Sequence, residues 1–307
     1  MSLTKLGDKK WGKIVDEKLI FELEETEKKN WKGTIKKVRD KVVKRPIDYV
    51  TLATDKMKIN RADFEKSISG TILRIRDMAW SFYIEDEALF HREALSNLVL
   101  QKGLPNSILK YSIKSIIGQD ELIQINLDEF ESSIAEVVGD FTGRIMPYIY
   151  ELSLSTTNSR RSRSGTTFEE IIYYTMGVLN YPFVNQSHLG KKFFEENNLG
   201  KKVDMIVPSK EAYIKNRSKC QIVTMKTSLR ERWQEVVEEI NRTNIPHIYL
   251  LTLDELLTAN VMNVLQNHNI TIVTYQSIKD KLADYDNIMS FEEYFHKDLP
   301  HVLDYWK

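Results

Sequence analysis

The 307-residue chain has little of several residue types, and each shortage excludes a class of protein. Its single cysteine, Cys220, cannot form an internal disulfide or supply a thiolate cluster for structural zinc. Its 12 glycines and 7 prolines are too few for a collagen-like or low-complexity chain. No stretch approaches the roughly 20 apolar residues of a membrane-spanning helix, and the polar N-terminus lacks the apolar core of a secretory signal. We therefore expect a folded, cytoplasmic protein of one large or two smaller domains.

The chain also has no excess charge of either sign, because 44 basic residues balance 44 acidic ones. A neutral total argues against indiscriminate coating of nucleic acid, but it allows a local basic face. Residues 115–143 contain acidic residues and no basic ones, whereas residues 201–242 carry ten Lys or Arg against six Asp or Glu. The segment 159–163 reads SRRSR. This segregation favours one surface that binds a polyanion.

The sequence pattern changes about halfway along the chain. Residues 12–153 have mostly helical periodicity and few turn signals. The segment 152–165, LSLSTTNSRRSRSG, has the composition of a linker, and a helix is predicted after it over 167–179. We therefore predict a mainly helical N-terminal region at 1–154 and a second domain at 155–307.

Short apolar strands dominate the second domain. Strands are predicted at 203–207, 220–225, 247–252 and 270–275, and helices at 229–242 and 254–266. Strands that alternate with helices indicate an α/β fold with a mixed central sheet flanked by helices.

The helix predicted over 229–242 carries an apolar stripe. Ser228 and Glu231 have the spacing of a capping box, which places the first helical residue at Leu229. The stripe recurs at the spacing of a helix packed on a sheet, with Trp233, Val236, Val237 and Ile240. Glu239 lies at the border of this stripe, so we expect a half-buried carboxylate there.

Two charged residues lie in the predicted strands, where an unpaired charge is costly. Asp204 lies within the first strand and Lys226 ends the second. With Glu239 they are placed to converge at one edge of the sheet. Carboxylates there would hold a divalent cation, and a lysine would stabilise charge or position water for phosphodiester hydrolysis. The alternative is a structural ion pair, in which the buried Asp and Lys only neutralise each other. Spacing alone leaves both interpretations open.

The segments around these residues resemble type II restriction endonucleases of the CCGG and CCNGG group. This PD-(D/E)xK group is typified by SsoII-like enzymes and the EcoRII catalytic domain. The resemblance rests on Asp204, on TMKTSLRERWQEVVEE with Lys226 and Glu239, and on RSGTTFEEII with Glu169. In this group the acid two residues before the lysine is replaced, here by Thr224, and a carboxylate from the following helix fills its space. The resemblance therefore implies Asp204, Lys226, Glu239 and Glu169 as catalytic residues, and the three carboxylates as ligands of Mg²⁺.

The same resemblance implies how DNA is read. Arg230, Glu231 and Arg232 match the R-E-R element of the family, which reads consecutive C:G pairs. At a helix N-terminus such arginines can fork onto guanine in the major groove, and the glutamate can accept from cytosine. A solvated helix cap is the alternative for Glu231. Asn158 matches an amide position near the minor groove, where the family more often has Gln.

Further residues are candidates for contacts along the DNA. Arg160, Arg161 and Arg163 would contact backbone phosphates, or else lie in a solvated linker. Arg76 and Trp80 stand four residues apart on one helix. In family members that tolerate any central base pair, an aromatic side chain stacks on flipped central bases, which requires a π-face and a polar contact. The alternative is that Trp80 belongs to the hydrophobic core.

The resemblance thus predicts a Mg²⁺-dependent type II restriction endonuclease. Its substrate would be double-stranded DNA with a palindromic site of CC and GG half-elements, either CCNGG or an extended version. The resemblance further implies a homodimer, with a tetramer left open, a companion DNA methyltransferase of the same specificity, and no membrane partner. Residues 1–154 would serve dimerisation or DNA contacts. The alternatives are a DNA-repair nuclease of the same superfamily and a non-cleaving DNA-binding protein that retains the fold.

Overall fold

In the computed structural model, the described residues are 14–15, 20–21, 23–102, 127–197, 199, 203–229, 233–243 and 245–307. Side chains are described for all of these except 14–15, 20–21, 127–141, 191, 194, 239 and 241–243. The chain divides into two compact units, Met1–Lys44 with Tyr83–Arg160, and Arg45–Phe82 with Arg161–Lys307. The grouping of Arg45–Phe82 with the C-terminal half was not predicted. The sequence-based division at 154/155 stays a prediction.

The first unit is mainly helical, as predicted for the N-terminal region. It contains α1 (Glu25–Val42), the second half of α4 (Ile68–Lys102) and the first part of α5 (Leu127–Val178). A short antiparallel ribbon of β1 (Ile14–Val15) and β2 (Ile20–Phe21) belongs to the same unit. Trp31 of α1 is buried, and its indole nitrogen donates a hydrogen bond to the carbonyl of Tyr148 on α5 at 3.0 Å. Trp31 is therefore structural.

The linker predicted at 152–165 is wrong, because the whole segment lies inside α5. Ser, Thr and Asn have only moderate helix propensity, but tertiary contacts override propensity here. Leu152 and Thr156, one helical turn apart, are both buried. The Thr156 hydroxyl donates to the Leu152 carbonyl at 2.9 Å, which satisfies its polar group within the helix. The helix predicted over 167–179 is the C-terminal part of α5.

The second unit centres on a six-stranded mixed sheet in the order β3-β4-β5-β6-β7-β8, which confirms the predicted fold class. Its strands are β3 (Val184–Asn185), β4 (Met205–Val207), β5 (Gln221–Lys226), β6 (Ile248–Thr252), β7 (Ile270–Thr274) and β8 (Ile288–Ser290). The pairs β3–β4 and β4–β5 are antiparallel, and β5 to β8 are parallel. All four predicted strands are present, while β3 and β8 were not predicted.

Helices flank this sheet. They are α2 (Pro46–Met57), α3 (Arg61–Lys66), the first half of α4, the last part of α5, α6 (Gln186–Glu196), α7 (Lys210–Asn216), α8 (Trp233–Thr243), α9 (Ala259–Asn267), α10 (Gln276–Lys281), α11 (Phe291–Glu293) and α12 (Leu299–Tyr305). A 3₁₀ turn lies at Arg217–Lys219 and a π-helical turn at Tyr294–Asp298. None of the described helices is long and apolar enough to cross a membrane.

The helix after β5 is α8, and its start differs from the prediction. Leu229 lies outside the helix, so the expectation that α8 begins there is wrong. The Leu229 backbone nitrogen instead donates to Oδ2 of Asp254 at 2.6 Å, a partner from the loop after β6. The predicted capping acid Glu231 lies outside the described residues.

Apolar side chains pack on both faces of the sheet, because consecutive residues of β4, β5 and β6 are buried, and one large cluster includes α8. Ile222, Leu250 and Ile272 lie on three neighbouring strands and join one buried cluster with Val236 of α8 and Met262 of α9. The predicted stripe of α8 therefore packs as expected. This packing fixes α8 against β5, the strand that ends in Lys226.

Candidate active site

Asp204 directly precedes β4, and hydrogen bonds from its backbone and to its side chain fix it against β5. Its backbone nitrogen donates to the carbonyl of Val223 on β5 at 2.9 Å. Its Oδ2 accepts a hydrogen bond from the backbone nitrogen of Met225 at 2.6 Å and another from the Thr224 hydroxyl at 3.2 Å. The residue is only 6% exposed. Burial raises the pKa of the Asp204 carboxyl above its usual range, although the Lys226 ammonium and these hydrogen bonds oppose that rise.

Lys226 ends β5 and meets Asp204, as the sequence predicted. Its Nζ lies 3.5 Å from Asp204 Oδ2, and the lysine side chain is 13% exposed. The same ammonium donates to the Thr224 hydroxyl at 3.2 Å and to the Met225 carbonyl at 2.9 Å. Both charges are thus oriented by β5, because Thr224 and Met225 contact each of them. Thr224 occupies the position that the usual motif gives to an acid.

Glu169 of α5 adds a second carboxylate to this pair. Burial and the charge of Asp204 together raise the pKa of Glu169 to about 7, although the charge of Lys226 opposes the rise. These interactions place Glu169 within electrostatic reach of the Asp204–Lys226 pair. The Glu169 carboxylate makes no hydrogen bond or ion pair with any residue whose side chain the structure describes. A half-buried carboxylate without such a partner is suited to a bound cation.

Glu239, the third predicted carboxylate, lies in α8, but its side chain is outside the described part of the structure. Among the described residues there is no group of three or more His, Cys, Asp or Glu side chains that could hold a metal ion. The described carboxylates of the site are therefore those of Asp204 and Glu169. The roles of all three acids as metal ligands stay predictions.

The predicted recognition element, Arg230, Glu231 and Arg232, also lies outside the described residues. Its N-terminal flank is anchored by Asp254, which follows β6. Asp254 Oδ2 accepts from the Leu229 nitrogen at 2.6 Å and from the Ser228 hydroxyl at 3.4 Å. Asp254 Oδ1 accepts from the backbone nitrogen of Leu256 at 2.9 Å. One carboxylate thus joins the segment before the recognition element to the loop after β6.

The predicted minor-groove residue Asn158 and the predicted phosphate-contacting arginines lie on α5. Asn158 and Arg161 are exposed, and Arg163 is half-buried. Arg160 is bound inside the first unit, because its Nε lies 3.0 Å from both carboxylate oxygens of Glu87. The sequence had offered no partner for Arg160. Its proposed contact with DNA competes with this pair.

Arg76 and Trp80 lie on α4, in its part that belongs to the second unit. Trp80 is 41% exposed, so the alternative that it belongs to the core is wrong. The Arg76 guanidinium pairs with Asp77 at 3.1 Å. An exposed indole one turn from a guanidinium retains both features that a stacked, flipped base requires.

Sequence reasoning missed two residues that contact this region, Tyr173 and Asp254. The Tyr173 hydroxyl donates to the backbone carbonyl of Asp204 at 3.0 Å. Its sequence signal is its position four residues after Glu169, on the same helix face. Asp254 has the weaker signal of an acid just after an apolar strand.

The fold and the site together define a nuclease-like class. The site has Asp204 directly before β4, Lys226 at the end of the adjacent strand β5, and Glu169 on a helix of the same unit, which agrees with the site residues that the resemblance to PD-(D/E)xK enzymes implied. Residues 126–295 match the family described as EcoRII C terminal. This match covers more than half of the chain, and the chain belongs to that family.

Individual relatives agree with this assignment. The type II restriction enzyme SsoII of Shigella sonnei is 40% identical over 161 residues, which are 52% of this chain and 52% of that enzyme. The chain therefore matches about half the length of this relative.

Two solved structures are also similar. Metal-depleted Ecl18kI in complex with uncleaved DNA is 27% identical, with a TM-score of 0.72, and the match covers 91% of this chain and 86% of that chain. The complex of restriction endonuclease PspGI with substrate DNA is 15% identical, with a TM-score of 0.59 and coverage of 86% and 94%. The PspGI likeness supports the fold alone.

Proposed function

We propose that the protein is a type II restriction endonuclease that hydrolyses phosphodiester bonds of double-stranded DNA in the presence of Mg²⁺. The main support is the ion pair between Asp204 and Lys226. The Glu169 carboxyl, whose pKa is raised, interacts electrostatically with both of them. An Asp–Lys pair with only a structural role needs no second carboxylate nearby. Membership of the EcoRII C-terminal family supports the same activity.

The described acids suit a hard divalent cation, which prefers oxygen ligands. The hydrogen bonds that described residues make to the Asp204 carboxylate all go to Oδ2, which leaves Oδ1 available. Glu169, and Glu239 from α8, would supply the other carboxylates. Bound Mg²⁺ would act as a Lewis acid that stabilises negative charge on the phosphate.

Lys226 is the positively charged side chain of the proposed catalytic site. Its ammonium is fixed by the Met225 carbonyl and the Thr224 hydroxyl, so it is oriented before the substrate arrives. Such an ammonium stabilises the charge that develops on the phosphate oxygens, or positions the attacking water. The low exposure of Lys226 strengthens this interaction relative to one in bulk water.

Recognition is assigned to Arg230, Glu231 and Arg232, which would read CC and GG half-elements in the major groove. The site would be CCNGG or an extended version, with the central bases flipped towards Trp80 and Arg76. A palindromic site with one cut per strand requires two equivalent active centres, so the working unit is a homodimer. Asn158, Arg161 and Arg163 on α5 would add minor-groove and phosphate contacts.

The cell must carry a DNA methyltransferase of the same specificity, because its own chromosome would otherwise be cut. Both enzymes would act in the cytoplasm, where the DNA lies. This partnership predicts that methylated sites resist cleavage.

Sequencing of the ends of digested plasmid tests the proposal. Purified protein is incubated with plasmid DNA and Mg²⁺, with EDTA as the control, and every cut end is mapped. We expect all ends to flank one palindromic CC/GG sequence, and no cutting in EDTA. Ends without a common sequence would support a repair nuclease instead. Specific DNA binding without any cleavage would support a binding protein that only retains the fold.

A further inference from the structure

Tyr173 links the helix that carries Glu169 to the backbone of Asp204. It lies on α5 one turn after Glu169, and its hydroxyl donates to the carbonyl of Asp204 at 3.0 Å. The ring of Tyr173 stacks on Phe183 at a centroid distance of 5.5 Å and an interplanar angle of 14°. The phenol is therefore fixed both at its ring and at its hydroxyl.

The backbone carbonyl of Asp204 accepts two hydrogen bonds, one of them from Tyr173. The other comes from the backbone nitrogen of Gln186 at 2.9 Å, so both lone pairs are used. Gln186 belongs to the start of α6, just after β3, while Tyr173 belongs to α5. Of these two donors, Tyr173 is the one that ties Asp204 to the helix bearing Glu169.

The Tyr173 hydroxyl remains a neutral donor in this setting. Burial raises its pKa well above the usual value, and the nearby carboxylates of Glu169, Asp204 and Glu170 raise it further. A neutral phenol donates to the Asp204 carbonyl without adding charge to the site. Replacement by phenylalanine would remove the hydrogen bond and keep the stacked ring.

We infer that Tyr173 is a positioning residue that sets the separation of the Glu169 and Asp204 carboxylates, and hence the affinity of the site for a divalent cation. This inference rests on the proposed function, because it assigns a shared cation to these two acids. Tyr173 acts through Asp204 and does not contact the scissile phosphate. Its loss should weaken metal binding without weakening DNA binding.

Comparison of two neighbouring tyrosines tests this role. Tyr173→Phe removes the bond to Asp204, while Tyr174→Phe removes a similar bond from the same helix to the carbonyl of Ile59 at 3.3 Å. Mn²⁺ binding to the full-length protein is measured by electron paramagnetic resonance. The Mg²⁺ concentration for half-maximal cleavage and the affinity for a CCNGG duplex in EDTA are measured alongside.

For Tyr173→Phe we expect Mn²⁺ affinity to fall about fivefold to tenfold, the scale of one lost hydrogen bond. The Mg²⁺ requirement should rise by a similar factor while DNA affinity stays unchanged. Tyr174→Phe should leave all three quantities at the values of the unmodified protein. Equal Mn²⁺ affinities for the two variants, or a parallel loss of DNA affinity in Tyr173→Phe, would overturn the inference.

A second variant and a readout that does not depend on cleavage complete the test. If Tyr173→Phe melts too early to assay, Phe183→Leu loosens the ring instead, and it should lower Mn²⁺ affinity in the same direction. Unchanged Mn²⁺ affinity in that variant would then overturn the inference. Mn²⁺ binding is measured without cleavage, so an unmodified protein that binds Mn²⁺ but cuts no DNA contradicts the proposed function alone.

Discussion

Arg160 binds Glu87 through its guanidinium, and the Glu87 side chain is only 4% exposed. The Tyr83 hydroxyl donates to the same carboxylate at 2.6 Å. Burial alone would raise the pKa of Glu87, but the hydrogen bonds from Arg160 and Tyr83 outweigh it and hold the pKa below its usual range. The arginine cluster of α5 therefore has one member that stabilises the first unit.

Arg160→Ala should destabilise the protein, because it leaves the Glu87 carboxylate buried without its cation. Since the guanidinium is about half exposed, we expect a loss of about 1–3 kcal/mol in the free energy of unfolding. Arg161→Ala, an exposed neighbour, should change it by less than about 0.5 kcal/mol. Urea denaturation measures both variants. Equal stabilities would mean that the Arg160–Glu87 pair contributes nothing to folding.

Substitutions of base-reading arginines and of phosphate-binding arginines should have different effects on DNA binding. Arg230→Ala or Arg232→Ala removes a bidentate guanine contact and should cost about 1–3 kcal/mol per half-site, seen as lost discrimination between cognate and altered duplexes. Arg163→Ala should weaken binding to every sequence and reduce the salt dependence, because phosphates carry no sequence information. Fluorescence anisotropy at several salt concentrations distinguishes these outcomes. The same specificity profile for both kinds of variant would refute this division.

The raised pKa of Glu169 predicts how the metal-free protein responds to pH. With a folded-state pKa of about 7 against 4.5 for the ordinary group, the folded protein holds a proton that the unfolded chain releases. The stability from protonated Glu169 is thus complete below pH 4.5 and is lost as pH rises through about 7. Glu169→Gln stays neutral, so its melting temperature relative to the unmodified protein should rise between about pH 5 and about pH 8.

Thermal melts in EDTA measure this difference, and Glu238→Gln, which changes an exposed acid on α8, is the control. A pH-independent difference for Glu169→Gln would show that the Glu169 carboxyl titrates normally.

Trp80 should stack on a flipped central base. With 2-aminopurine at the centre of a CCNGG duplex, binding should increase fluorescence, because the probe leaves the base stack. Stacking on Trp80 would partly quench that signal, so Trp80→Ala should be brighter still. A cleavable duplex whose fluorescence does not change on binding would exclude flipping. An identical signal from a stable Trp80→Ala variant would exclude Trp80 as the platform.

The strand-borne part of the candidate site was predictable from the sequence, because charges within apolar strands stand out. Asp204 and Lys226 are such charges in the sequence pattern. In the structure Asp204 directly precedes β4 and Lys226 ends β5, and their pairing follows from the adjacency of these strands. Glu169 was predicted only through the family resemblance, since no local pattern links an acid on a long helix to a strand that begins 36 residues later (205 − 169). Tyr173 was missed because an aromatic residue on an amphipathic helix cannot be distinguished from core by periodicity.

Non-local contacts account for the errors in the fold. The supposed linker is helical because side chains in it have partners far away in the sequence, as Arg160 has in Glu87. Residues 45–82 join the sheet-containing unit through contacts such as the Ser69 backbone nitrogen, which donates to Glu292 at 2.9 Å. Such contacts leave no periodic signal in either segment.

The central claim is metal-dependent cleavage by the Asp204 site, and Asp204→Ala tests it most directly. Cleavage and binding of one CCNGG duplex are measured side by side, the first with Mg²⁺ and the second in EDTA. We predict that the variant binds with the affinity of the unmodified protein and cuts at least about a thousandfold more slowly, a loss of about 4 kcal/mol in transition-state stabilisation. A folded Asp204→Ala variant that cuts within about tenfold of the unmodified rate would contradict it.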